Sequence, residues 1–271
     1  MSIRSIAVCR TYLAEGNTMT RLTMGALALL FLGLAQPPGD VGAAEIKVLS
    51  TGNMVNILTD LTSQFERATG HKLVIEYGSV VLMRNRIRSG EVADLTINER
   101  PELEELRKQG RIATDTIVDI ARSPFGVAVR AGAPKPDIST AEGFKQAMLN
   151  AKSIGHSNGG TGPYNTRLFQ KLGIYDQIKD KIKIIQGKPV AVAVADGEVE
   201  IGIQQTNVIQ PVAGTQYLGP LPPDLIEYGH FGVAVRNVSK NQDVARELIK
   251  FMTSPEAAAL LRKTAMEPPE R

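Results

Sequence analysis

Glycine stands beside short hydroxyl or amide side chains at three places in this chain: STGNM (Ser50–Met54), YGSVVLMR (Tyr77–Arg84) and SNGGTGPY (Ser157–Tyr164). Each lies where a β-branched run gives way to an amphipathic segment, so each reads as a strand-to-helix junction. A helix start leaves backbone N–H groups unpaired and carries the positive end of the helix dipole, which suits it to hold an anion. Any one such stretch is equally well an ordinary helix cap. Three of them, on separate strand–helix units, point to a shared anion pocket. The loop at Gly159-Gly-Thr-Gly lacks the lysine and the Ser/Thr that complete a phosphate-binding loop, so a nucleotide is not indicated.

Cations near these junctions refine the chemistry. Arg84 lies one helical turn after Val80, where a guanidinium would meet a carboxylate in a two-pronged contact. With Arg86 and Arg88 it forms, on the alternative reading, a solvated basic face. Lys188, just past Gly187, is a second candidate carboxylate partner and Arg167 a third. The three histidines are His71, His156 beside the SNGGTG loop, and His230. No Ser-His-Asp spacing, HExxH motif or cluster of metal ligands occurs, so neither a hydrolytic triad nor a metal is expected, and no cofactor. Cys9 is the one cysteine, which excludes a disulfide. A formal net charge of +3 is too small for a phosphate-binding face, so nucleic acid is not the expected partner.

The elements that position these residues follow from periodicity. Residues 25–36 form a short apolar run after the basic Met19–Met24 segment, and small residues follow at 41–44. The run is short of the roughly 20 residues of a membrane span, so it reads as a cleaved signal peptide ending near Ala43 or Ala44, and the chain as periplasmic. From Ile46 onward strands and helices alternate. Helix Asn53–Thr69 carries Ile57, Leu58, Leu61 and Phe65 on one face and stops at Gly70; helix Val80–Arg88 stops before Gly90. Strand Ala93–Asn98 precedes helix Pro101–Gln109. Strand Ser153–Ser157, helix Tyr164–Leu172, strand Lys181–Gln186, helix Pro189–Ala195 and strand Val199–Gln205 continue the pattern. Helices Gln242–Thr253 and Pro255–Thr264 end it. Such alternation implies an α/β fold with mostly parallel sheets, whose ligands bind beyond the carboxyl ends of the strands.

Five segments carry a family resemblance: STGNMVNILTDLTSQFERATGHKLVIEYGS, IRSGEVADLTIN, GPYNTRLFQKLGI, VADGEVEIGI and FMTSPEAAALLRKTAMEP. From Ile46 to its end the chain resembles the periplasmic molybdate-binding proteins of ABC transporters, within the type 2 solute-binding proteins. The resemblance implies two lobes, residues 45–124 with 232–271 and residues 125–231, after a leader over 1–44. Two mostly parallel sheets would be joined by two hinge strands. The hexapeptide FGVAVR occurs at Phe125–Arg130 and again at Phe231–Arg236, and the resemblance suggests that the copies lie side by side at that hinge. A small anion would bind between the lobes of a monomer, with a permease and an ATPase as partners.

The family's contact positions map as follows. Its first serine falls at Asn53, in the loop that also holds Thr51, and its second at Val80, beside Ser79. Its small third-loop residue falls at Thr161, a backbone contact at Gly187, and its tyrosine at Gln205. Two hydroxyls and a phenol are thus replaced by amides and a valine, which implies a ligand larger than or shaped differently from molybdate; with the nearby cations this favours an organic carboxylate, an oxyanion being the alternative. The family is also similar to a periplasmic aconitate isomerase. A catalytic cleft would need a base and cations, roles for which Arg84, Lys188, and His156 or Tyr164 are the candidates.

Overall fold

The computed structural model describes residues 42–270, so most of the expected leader lies outside the described residues. Strand β1 is Glu45–Thr51, and a single 3-10 turn at Gly52–Met54 leads into α1, Val55–Thr69. Ile57, Leu58, Leu61 and Phe65 are the buried face of α1, as their spacing requires, and Gly70 ends it at φ 78°, a left-handed turn that costs glycine little. Then come β2 (Lys72–Gly78), α2 (Val80–Arg88), β3 (Leu95–Glu99) and α3 (Arg100–Lys108). The 13-residue β4 (Val118–Arg130) follows. Beyond it lie α4 (Ala141–Asn150), β5 (Ile154–Ser157), α5 (Thr161–Lys171), α6 (Tyr175–Ile178), β6 (Ile182–Ile185) and α7 (Val190–Ala195). The chain continues with β7 (Ile201–Gln205), α8 (Thr206–Ile209), β8 (Thr215–Pro220), β9 (Tyr228–Val235), α9 (Gln242–Met252) and α10 (Pro255–Lys263). Among the described residues no helix is long and apolar enough to cross a membrane.

The strands run in the order β2-β1-β3-β9-β4-β7-β5-β6, with β8 also on β4. Pairing is parallel within β2-β1-β3 and within β6-β5-β7. It is antiparallel where β9 and β4 join them, and where β8 lies on β4. Each parallel set has its own core. The first gathers Leu95, Ile97, Phe231 and Val233 with α1, α9 and α10; the second gathers Val127, Val129, Ile201 and Ile203 with α4 and α5. β4 belongs to both. Up to Pro124 it pairs with β9, and from Phe125 it pairs with β7.

This pairing corrects the expectation for the repeated hexapeptide. The copies do not lie side by side: Phe125–Val129 pairs with Gln205–Ile201, and Phe231–Val235 pairs with Glu99–Leu95. Residues Arg122–Pro124 and Tyr228–Gly229–His230 face each other at the crossing instead. The reason is the length of β4, whose first seven residues precede the hexapeptide and occupy β9. Glu99 and Gln205 are 106 residues apart, the offset of the two hexapeptides as well, so the copies hold equivalent registers in the two sheets. They part at their last residue: Arg130 is exposed and Arg236 buried.

Candidate functional site

The carboxyl ends of β1, β2, β3, β5 and β7 open on one cavity of about 530 Å³, bounded by loops from both sheets. The sequence signals converge here. Gly52 and Asn53 contribute the start of α1, Ser79 and Val80 that of α2, and Gly160 and Thr161 that of α5. Gly187, Lys188 and Gln205 complete the predicted residues in the wall. Ser79 is spent partly on its own helix, its Oγ accepting from the Leu82 N–H at 3.1 Å. The α5 loop is braced by the Ser157 hydroxyl, which donates to the Gly159 carbonyl at 2.6 Å and lies 3.0 Å from Thr161 Oγ1. Helix starts from both sheets thus present backbone donors to one space, the arrangement that favours negative charge.

Five of the candidate residues, Arg167 among them, lie outside this wall. Thr51 is buried behind the first loop, with its Oγ1 unpaired. Arg84 is not in the cavity wall: its Nη1 donates to Glu102 Oε1 at 2.8 Å, tying α2 to α3. The sequence reading placed Arg84 correctly on its helix, but its carboxylate partner comes from a distant segment. Tyr164 points into the second core, its hydroxyl donating to the Leu225 carbonyl at 2.9 Å and its ring 4.6 Å from that of Phe125. Burial, then the nearby Glu227 charge, pushes the Tyr164 phenol up, and its place in the core keeps it out of the cavity. His156 is buried, with Nδ1 3.1 Å from the Ser157 carbonyl, and is likewise outside the wall. Lys188 is in the wall, but its ammonium donates to Asp196 at 2.9 Å and Glu198 at 2.5 Å, so its charge is already matched. We expect Arg84→Ala to change anion affinity by less than about 0.5 kcal/mol, measured by calorimetry, because the side chain is outside the cavity.

One cavity residue escaped sequence reasoning. Glu99, the last residue of β3, lines the cavity, and its Oε1 accepts from Gln205 Nε2 at 3.2 Å across the two sheets. Asn207 makes a second crossing, its Nδ2 donating to the Asn53 carbonyl at 2.7 Å. Burial, then the charge of Glu102, pushes the Glu99 carboxyl up to about 7, against a smaller lowering by the Gln205 hydrogen bond. A cavity walled by helix starts therefore contains a carboxyl poised near neutrality. Among the described residues no group of three or more His, Cys, Asp or Glu side chains is placed to hold a metal ion.

A two-sheet α/β fold with a donor-lined cavity at the carboxyl ends of its strands defines a periplasmic-binding-protein architecture. The sequence pattern of the bacterial extracellular solute-binding proteins matches residues 46–267, and the chain belongs to that family. It is 31% identical over 255 residues to an aconitate isomerase from a Pseudomonas species, covering 91% of this chain and 95% of that one. It is 27% identical over 234 residues to the molybdate-binding protein ModA of Azotobacter vinelandii, covering 81% and 88%. The solved structure of the Azotobacter vinelandii periplasmic molybdate-binding protein superposes with a TM-score of 0.69 at 22% identity, over 83% of this chain and 100% of that one.

Proposed function

We propose that this protein captures a small organic carboxylate between its two sheets in the periplasm and hands it to an ABC-type permease and ATPase. The observation that carries the reading is the convergence of helix starts from both sheets on one cavity of about 530 Å³. That volume lies within the range of small-molecule sites and exceeds what one tetrahedral oxyanion fills. Asn53, Ser79, Val80, Thr161, Gly187 and Gln205 are the contacts we assign to the anion. The lobes that close on it are residues 45–124 with 232–271 and residues 125–231, flexing where β4 and β9 cross. A leader cleaved near Ala43 or Ala44 exports the chain.

Thermal-shift measurements against trans-aconitate, fumarate, molybdate and tungstate test this reading. Ligand at about 100 times its dissociation constant adds about 2.7 kcal/mol to stability. We expect the carboxylates to raise the melting temperature; a response confined to molybdate and tungstate rejects the carboxylate preference.

A second reading, a cofactor-free aconitate isomerase, is favoured by Glu99 and by the aconitate isomerase relative. Moving a double bond within a tricarboxylate needs a group that takes a proton from one carbon and returns it to another, and Glu99 is the wall residue poised to exchange one. Chromatography of trans-aconitate incubated with concentrated protein decides it: no conversion to the cis isomer above background removes this reading.

A further inference from the structure

Helix capping does not explain the placement of Glu99 in the cavity. It occupies the N-cap of α3, a position where a carboxylate gains by accepting helix N–H groups, yet its side chain makes no such bond. It is turned into the cavity instead, with Gln205 as its hydrogen-bond donor. It is also held closely: a Cβ added to Gly160 would lie 2.5 Å from Glu99 Oε1, and Gly160 has φ 36°, so this approach depends on glycine. Among the described residues no lysine or arginine makes an ion pair with it. The equivalent register position in the second sheet is Gln205, an amide of the same shape. The fold thus uses a neutral amide in one sheet where the other has an acid.

The charges around Glu99 do not relieve it. On its own helix, Glu102 is paired with Arg84 of α2, and Arg100 with Asp119 and Glu104. In the wall, Lys188 is held by Asp196 and Glu198. Tyr77 at the end of β2 is exposed, and its phenol, pushed up by partial burial, stays neutral and offers no cation. His156 at the end of β5 is drawn toward its neutral form by burial, and His230 on β9 is exposed at the crossing. An anion entering beside an ionised Glu99 would therefore meet an uncompensated like charge in a partly desolvated space.

We propose that the anion enters this cavity together with one proton, which Glu99 holds as a neutral carboxyl donating a hydrogen bond to the ligand. The inference rests on the capture reading above. It makes the protein a binder whose affinity follows external pH, strongest on the acid side of neutrality, where Glu99 is already protonated. The ligand's charge also raises the carboxyl further, so the bound proton is held more firmly than in the empty cavity.

The test is calorimetric titration of the full exported chain with trans-aconitate, in buffers of different ionisation enthalpy. Fumarate, whose carboxyls stay ionised throughout the range, serves as a control for titration of the ligand itself. The wild type is expected to lose affinity about tenfold per pH unit from pH 7 to 9, and to take up close to one proton per anion at pH 8. Glu99→Gln, which copies Gln205, is expected to bind about tenfold more tightly than wild type at pH 8, with affinity independent of pH and no proton uptake. Binding by the wild type that is flat in pH, without proton uptake, overturns the proposal and leaves the capture reading standing. Conversion of trans-aconitate at a rate that rises with pH through neutrality overturns it in favour of an ionised base. Failure of trans-aconitate, fumarate and molybdate alike to bind at any pH overturns the capture reading itself, and this inference with it. Should Glu99→Gln misfold, the proton count on the wild type decides alone.

Discussion

Replacing Gly162 with alanine is expected to cost about 3 kcal/mol of stability and to abolish anion binding. Gly162 is the second residue of α5, and the new Cβ would lie 2.0 Å from the Ser157 carbonyl oxygen and 2.8 Å from His156 Nδ1. Neither neighbour gives way cheaply. The Ser157 oxygen is backbone at the end of β5, and the loop that follows it is pinned by the Ser157 hydroxyl on Gly159 and Thr161. Either the strand end or the first turn of α5 must shift, and both border the cavity. Gly159→Ala is the control, because its Cβ would find nothing nearer than 3.9 Å. That variant should stay within about 1 kcal/mol of wild type in urea unfolding. Equal stability of the two variants would show that β5 and α5 do not approach each other this closely.

Much of this fold was readable from periodicity because its helices are amphipathic and end in glycine. The buried face of α1 and the limits of α2 follow from spacing alone. The errors have physical causes. Helix α5 begins at Thr161 rather than Tyr164, since Gly160, at φ 36°, turns the chain early into the helix. β8 was missed because Thr215–Pro220 is half-buried on one antiparallel neighbour and shows no clear alternation. The cavity wall was legible where it is built from helix starts, and illegible where a residue's placement rests on distant side-chain partners. Arg84 was drawn toward the cavity because nothing local reveals Glu102. Glu99 was passed over because an acidic residue at a helix start reads as a favourable dipole contact. A signal did exist. TINER before α3 and GIQQT before α8 stand in the same register to the two FGVAV strands, which equates Glu99 with the predicted site residue Gln205.

Stability in the absence of ligand offers a second large effect, with a sign set by Glu99. Its carboxyl moves from an ordinary 4.5 when unfolded to about 7 when folded. The folded state therefore holds the proton more tightly than the unfolded chain. The contribution to stability is fully present below pH 4.5 and is lost as pH rises through 7. One unit of difference is worth about 1.4 kcal/mol, and water in the cavity screens part of the charge, so the loss is on the order of 2 kcal/mol. Wild type should consequently lose about that much stability relative to Glu99→Gln between about pH 5 and pH 8, measured by urea unfolding of both without ligand. The carboxylate most strongly shifted the other way does not interfere. Glu91, held down to about 2 by Arg86 and then Lys47, loses its stabilising contribution only as pH falls below its ordinary 4.5. The Glu91 window is separate, and His156, which burial lowers from its ordinary 6.5, acts in both proteins with the opposite sign, so the difference between the two profiles from about pH 5 to pH 7 belongs to Glu99. Parallel profiles for wild type and Glu99→Gln across that window would mean that Glu99 is ionised in the empty cavity at no cost. The raised carboxyl would then be wrong before any ligand is considered.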